Sequence, residues 1–228
     1  MARALAEAGV DAVYSYAGRT DRPVAPPLPV RVGGFGGVAG LVDLLFTQYF
    51  THIIDATHPF AAQMSRNAVE ASKIAGVPLM ALEREPWTAR PGDRWTHVAD
   101  TAAAVAALSD RPRRVFLAIG RQTLDAFATA PSNFYLLRLV DAPSEPLPLP
   151  RAEAVIARGP FTVEGDRALL TNHRIEVIVA KNSGGAGAEA KLVAARDLGL
   201  PVILIDRPRL PHRRVARTVS EVMAWLRL

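Results

Sequence analysis

The segment Ile53-Ile54-Asp55-Ala56-Thr57-His58-Pro59-Phe60 decides how this 228-residue chain folds. A short β-branched run stops at Asp55, and a helical pattern follows from Pro59 through Ala61, Ala62, Met64, Ala68 and Val69. The residue before a proline is pushed out of the α region, so His58 is expected to be extended, while Pro59 is pre-set for a first helical turn. A strand therefore runs into a helix. In an open α/β sheet, ligands bind beyond the carboxyl ends of the strands, where the first amides of the helix, here Phe60, Ala61 and Ala62, are available to an anion. Thr57 and His58 then stand at the mouth of a crevice. In the plainer reading, Thr57 only caps the helix and His58 is an exposed turn residue.

The same rhythm extends in both directions. Upstream, Ala2 to Ala8 is helical and stops at Gly9, and Ala12 to Tyr16 and Val30 to Val32 read as strands. A Gly-rich turn, Gly33 to Gly37, leads into a helix from Val38 to about Tyr49. Downstream, the helix closes at Gly76 and Pro78 to Leu82 is a strand. Glu83 to His97 reads as irregular, and Asp100 caps a helix from Thr101 to Leu108. Ser109 to Arg114 has the composition of a linker, which divides the chain into domains 1–110 and 111–228.

In the second half, Val115 to Ile119, Phe134 to Leu139, Ala154 to Ala157, Ile175 to Ala180 and Pro201 to Ile205 read as strands. Helices are expected from about Gln122 to Ala128, after Thr162, from about Ala190 to Leu198, and from Val219 to Leu226. Regular alternation with short connections predicts an α/β fold with parallel sheets in both halves.

Composition narrows the chemistry. Half of the residues are hydrophobic and 21% are charged, which describes a globular chain. No run approaches the length of a membrane span, and Met1 opens directly on a helical pattern rather than a signal peptide, so a cytoplasmic location is expected. The absence of cysteine excludes disulfides, thiolate catalysis and cysteine-ligated metals. His52, His58, His97, His173 and His212 show no metal-ligand spacing, so no metal site is expected. A formal charge of +5 is spread along the chain except at Arg207 to Arg217, which suits a small anionic substrate better than nucleic acid.

Three loops carry motifs. Gly34, Gly36 and Ala39 match G-x-G-x-x-A between a strand and a helix, and Asp55 lies near the distance expected of an acid that holds the ribose of NAD. Glycines also occur where backbones simply pack closely. Lys181 to Gly187 is no Walker A motif, yet its glycines open amides towards an anion beside the Lys181 charge, the alternative being a flexible loop with a solvated lysine. Arg19 follows an early strand, where an arginine favours NADP over NAD.

Together these residues resemble the NADPH-dependent precorrin-6A reductases of cobalamin biosynthesis. The resemblance is carried by Ser15-Tyr16-Ala17-Gly18-Arg19-Thr20, Gly33-Gly34-Phe35-Gly36-Gly37, Asp55-Ala56-Thr57-His58-Pro59-Phe60, Arg158-Gly159-Pro160-Phe161 and Lys181-Asn182-Ser183-Gly184-Gly185, in the family's order over nearly the whole chain. It implies two Rossmann-like domains with parallel sheets, a ligand cleft between them, and hydride transfer from NADPH to a tetrapyrrole rich in acetate and propionate groups.

The residues that the resemblance assigns to the cofactor are Tyr16, Gly18, Arg19, Gly33, Gly34, Phe35, Gly36 and Thr57. To the substrate it assigns His58, Pro59, Phe60, Arg158, Gly159, Lys181, Asn182, Ser183, Gly184 and Gly185. Hydride transfer raises electron density on a pyrrolic nitrogen, which a nearby proton or cation stabilises. His58 is the candidate proton donor and Lys181 the candidate cation. Neighbouring pathway enzymes are the expected protein partners, with no nucleic acid and no membrane.

In one respect the sequence departs from the pattern. The family opens with a strand and a glycine-rich turn for the cofactor pyrophosphate, whereas this sequence opens on a helix. The first strand is thus expected to lie upstream of Met1, or cofactor binding to be impaired. The alternative reading is a nucleotide-binding sensor or regulator with the same fold and no catalysis, and a third is a transferase using the glycine loops for another nucleotide.

Overall fold

Among the described residues, every strand pairing in the computed structural model is parallel, as the alternation of strands and helices requires. The structure describes residues 1–17, 25–108, 111–143 and 145–226. They fall into two compact units, Met1–Arg84 with Pro208–Leu228, and Glu85–Arg207.

The first unit opens with α1 (Ala2–Glu7), β1 (Tyr14–Tyr16) and β2 (Val30–Val32). It continues through α2 (Gly37–Thr47), β3 (Ile53–Asp55), α3 (Ala62–Ala75) and β4 (Leu79–Leu82). After the second unit it resumes with β11 (Arg214–Ala216) and α7 (Val219–Trp225). β1 pairs with β2, and β11-β4-β3 form a three-stranded sheet. Leu41 and Leu45 of α2 and Ala68, Val69 and Ala71 of α3 pack with Leu79 into one core. A smaller one joins Met80, Ala216 and Val222.

The second unit contains β5 (Trp95–Val98), α4 (Thr101–Ala106), β6 (Arg114–Ala118), β7 (Phe134–Leu139), β8 (Ala152–Ile156), α5 (Val163–Asn172), β9 (Val177–Lys181), α6 (Ala190–Asp197) and β10 (Val202–Ile205). Its six strands run β5-β10-β9-β6-β7-β8. The central ones read as continuous apolar runs because both faces are covered. Val202 to Ile205 are all buried, as are Val177 to Ala180. Burial of a side chain of this size contributes roughly 1.5–3 kcal/mol. Asp100 and Thr162 cap their helices by accepting from Ala103 N–H and Gly165 N–H.

The division between units differs from the one expected at residue 110. β5 pairs with β10, and β6 with β9, so residues on both sides of that point belong to one sheet. The chain leaves the first unit after Arg84 and re-enters it at Pro208, where β11 adds to β4. A polar composition between α4 and β6 therefore does not mark a boundary between the units. The expected helix from Gln122 to Ala128 is instead two 3-10 turns, Arg121–Thr123 and Asp125–Thr129. Leu124 and Phe127, its two buried anchors, are three residues apart, which suits three residues per turn. Among the described residues, no helix is long and apolar enough to cross a membrane.

Candidate functional site

In the first unit, the ends of β1 and β2 are held side by side, since the Gly33 N–H donates to the Tyr16 carbonyl at 2.9 Å. Tyr16 is half-buried, with its ring 5.8 Å from that of Tyr14. Gly33, Gly36 and Gly37 all take positive φ, and Gly36 is the N-cap of α2. A Cβ at Gly33, Gly34 or Gly36 would meet nothing within 4 Å, so this backbone is open on its outer side. The exception lies one residue past the expected motif: a Cβ at Gly40 would come within 1.8 Å of the Phe35 carbonyl oxygen. Gly40, rather than Ala39, makes the close helix approach that the third position of such a motif serves.

Sequence reasoning missed Arg31. Its guanidinium donates to the Gly33 and Gly34 carbonyls, both at 2.8 Å, and lies 4.3 Å from the Phe35 ring centroid. In a trans peptide the C=O and the following N–H point opposite ways, so capturing these two oxygens turns the Gly34 and Phe35 amides away from Arg31. Gly18 and Arg19 lie outside the described residues.

The segment after β3 is built differently from expectation. Asp55 is buried and turned into its own loop, where Oδ1 accepts from Thr57 Oγ1 at 2.6 Å and from Thr57 N–H at 3.2 Å. The turn occupies Oδ1, and Oδ2 is buried away from the surface, so a ribose contact from Asp55 does not fit the geometry. Thr57 is not a helix cap; its hydroxyl also lies 3.3 Å from Ser65 Oγ. α3 starts at Ala62, three residues later than the sequence suggested. The first amides are consequently not open: Phe60 N–H donates to His58 Nδ1 at 3.2 Å and Ala61 N–H to the His58 carbonyl at 2.7 Å.

The Phe60 contact settles the tautomer of a neutral His58. A backbone N–H only donates, so Nδ1 accepts and the ring proton sits on Nε2. His58 is exposed, with its ring 5.8 Å from that of Phe60, and Pro59 is buried beside it.

In the second unit, two loops at strand ends come together although β6 and β7 lie between β8 and β9 in the sheet. A Cβ at Gly159 would stand 3.3 Å from the Phe161 ring and 3.6 Å from the Gly187 carbonyl oxygen. Arg158 pairs with Asp141 at 3.6 Å. Lys181 ends β9 half-buried, and desolvation lowers its pKa from the ordinary lysine value. Arg158, Gly159, Lys181 and the loop through Gly185 therefore belong to one edge of one sheet.

Two expected contributors to that edge face inward. Asn182 is buried, and its side chain accepts from Trp87 N–H at 2.8 Å and donates to the Trp87 carbonyl at 3.1 Å. It shapes the loop instead of offering a group to a ligand. Gly184 is buried at φ +69, packed so that a Cβ would fall 1.9 Å from the Glu85 carbonyl oxygen. Ser183 Oγ donates to the Lys181 carbonyl at 3.3 Å, and Arg207 holds the Asn182 and Ser183 carbonyls at 2.9 and 3.1 Å. Trp87 and Arg207 are distant from this loop in sequence and carry no motif that would have revealed them.

Parallel α/β units with glycine-rich and basic loops at the carboxyl ends of their strands define a class of protein that holds anionic ligands at those ends. The model of the precorrin-6x reductase CbiJ/CobK family matches residues 1–227, and the chain belongs to that family. It is 66% identical to the precorrin-6A reductase of Rhodobacter capsulatus over 226 residues, covering 99% of this chain and 90% of that one. The precorrin-6A reductase of Rhodococcus erythropolis is 47% identical over 233 residues, 99% of this chain and 93% of its own. A solved structure described as CobK precorrin-6A reductase superposes with a TM-score of 0.95 at 66% identity, covering 99% of this chain and 90% of that one.

Proposed function

We propose that the chain is a precorrin-6A reductase, reducing the tetrapyrrole macrocycle by hydride transfer from NADPH in cobalamin biosynthesis. The observation that carries this reading is 66% identity to the Rhodobacter capsulatus reductase across 99% of the chain. The alternative of a sensor without catalysis finds no support in so close a relation to an enzyme.

The first unit suits the cofactor. The open backbone at Gly33, Gly34 and Gly36 leaves room for phosphate oxygens where side chains would otherwise stand, and Arg31 turns the Gly34 and Phe35 amides outward. Tyr16, Gly18, Arg19 and Thr57 complete the proposed cofactor set, with Arg19 as the partner of a 2′-phosphate. When bound, NADPH supplies the hydride.

The chain supplies orientation, charge and the proton. Arg158, Gly159, Lys181 and the Ser183 to Gly185 backbone are proposed to hold substrate carboxylates, with His58, Pro59 and Phe60 as further substrate contacts. Reduction of a conjugated bond needs one hydride and one proton. His58 Nε2–H is the proposed donor of the proton, and the Lys181 ammonium stabilises the charge that develops.

The test is direct. The purified chain, given precorrin-6A and NADPH, is expected to oxidise the dinucleotide while the tetrapyrrole gains the mass of one hydride and one proton. Deuteride from labelled NADPH should appear in the product. Binding of both ligands without turnover would overturn the catalytic reading.

A further inference from the structure

A group of buried polar side chains lies beneath the two loops of the second unit, and the proposed chemistry gives it no part. Asp166 of α5 is 3% exposed and pairs with Arg138 of β7, whose guanidinium stands 4.0 Å from the Phe161 ring centroid. Lys191 of α6 is 7% exposed; its ammonium donates to the Ala188 carbonyl and lies 4.6 Å from the Trp87 ring centroid. The Trp87 indole N–H donates to the Gly185 carbonyl at 3.0 Å. A lysine is rarely buried unless its charge is compensated, and here it is directed at a loop carbonyl and an aromatic face.

These contacts have one geometric effect in common. Arg207, Trp87 and Lys191 draw the carbonyls of Asn182, Ser183, Gly185 and Ala188 towards the protein. Since C=O and the following N–H are opposed across a trans peptide, the Gly184 and Ala186 amides are turned the other way. Amides turned away from the protein on alternate residues of a loop are available to an anion.

We propose that Lys191 and Trp87 are positioning residues that hold the 183–188 loop in the shape that receives substrate carboxylate, and that loss of the Lys191 charge releases it. The proposal rests on reading that loop as a substrate-carboxylate site. Neither residue touches the ligand; they act through the backbone.

The charge on Lys191 is poised to change under mild conditions. Burial, with a smaller contribution from Arg138, lowers its pKa to about 8 against the raising influence of Asp166 and Glu189. A neutral amine still donates to Ala188, but without charge assistance, which makes such a bond about half as strong.

Hydrogen exchange on the ligand-free protein reads the latch, and steady-state kinetics read its consequence. The hydrogen-bonded amides at the two ends of the loop, Ser183 and Glu189, which donate to the Lys181 and Ala186 carbonyls, should lose protection in the wild type as pH rises through about 8. In Lys191→Met these amides should exchange roughly 10-fold faster at every pH, with the substrate KM raised by a similar factor and kcat little changed. Lys191→Arg, which keeps its charge, should restore protection and remove the pH break.

Wild-type protection in Lys191→Met would overturn the latch. Faster exchange with an unaltered KM would leave the latch standing and instead refute the reading of the loop as the carboxylate site. Should Lys191→Met fail to fold, Trp87→Phe keeps an aromatic face and removes the indole donor together with its five-membered ring. It is expected to loosen the Gly185 segment, and unchanged exchange there would overturn the proposal.

Discussion

Asn182 and Trp87 are joined twice, the Asn182 side chain accepting from Trp87 N–H at 2.8 Å and donating to the Trp87 carbonyl at 3.1 Å. The side chain copies the pairing of a neighbouring strand and thereby attaches the start of the 182–188 loop to a segment 95 residues away. Both members are buried. Asn182→Ala leaves a buried N–H and a buried carbonyl unpaired, at about 1–3 kcal/mol each. A lower melting temperature is expected, together with weaker tetrapyrrole binding. Asn182→Asp keeps the acceptor but replaces the donor with a carboxylate facing the Trp87 carbonyl, so it should be no better. A melt within error of wild type for both variants would remove the pairing from the list of structural supports.

Gly184 and Gly187 offer a controlled contrast within one loop. A Cβ at Gly184 would lie 1.9 Å from the Glu85 carbonyl oxygen, at a φ of +69 that side chains seldom adopt, whereas one at Gly187 would meet nothing within 4 Å. Backbone cannot give way as a flexible side chain can. Gly184→Ala is therefore expected to cost several kcal/mol or prevent folding, since it adds overpacking of about 1–3 kcal/mol to backbone strain of similar size. Gly187→Ala should fold like wild type. Chemical denaturation of the pair decides it, and equal midpoints would contradict the contact.

Much of this arrangement was legible in the sequence, and the part that was not has a common cause. Short-range patterns located the strand ends: the Asp100 and Thr162 caps, the closure of α3 at Gly76, and the apolar runs of β9 and β10 all follow from neighbours within a few residues. β5 was hidden because Trp95-Thr96-His97-Val98 is short and half polar, as suits an edge strand, and β11 has only three residues. The discontinuity of the first unit depends on which sheets those two strands join, a long-range fact. The site divides likewise: Lys181 and Gly33 were visible as strand-end residues, while the inward turn of Asn182 and the carbonyl-holding role of Arg31 depend on partners that only folding brings near.

Lys191 gives a stability signature opposite in sign to its local effect. Its folded pKa of about 8 lies below the ordinary 10.5, so between those values the unfolded chain holds the extra proton. Stability rises with pH wherever the unfolded state binds more protons, so this group's contribution increases from about pH 8 upward and is lost as pH falls through that value. The full shift corresponds to on the order of 3 kcal/mol. Thermal melts of wild type and Lys191→Met should therefore diverge in favour of wild type above about pH 8, even as the wild-type loop loosens. A difference that does not change with pH would mean that the folded protein leaves the Lys191 pKa at its ordinary value.

Arg31 and Arg19 are expected to affect the cofactor in different ways, and the difference tests the proposed registration. Arg31 holds the Gly33 and Gly34 carbonyls and so shapes the backbone proposed to meet a dinucleotide pyrophosphate. Arg31→Leu should weaken NADPH and NADH alike, by roughly 10-fold for a charge-assisted contact of ~1.5–3 kcal/mol acting indirectly. Arg19 is assigned to the 2′-phosphate alone, where a bidentate guanidinium is favoured over lysine. Arg19→Ala should therefore cost NADPH roughly 10–150-fold while leaving NADH nearly unchanged. Competition binding of the two dinucleotides to wild type and both variants separates the roles. An NADPH-to-NADH ratio unchanged by Arg19→Ala would remove that residue from the cofactor site, and a ratio shifted by Arg31→Leu would show that Arg31 meets the 2′-phosphate itself.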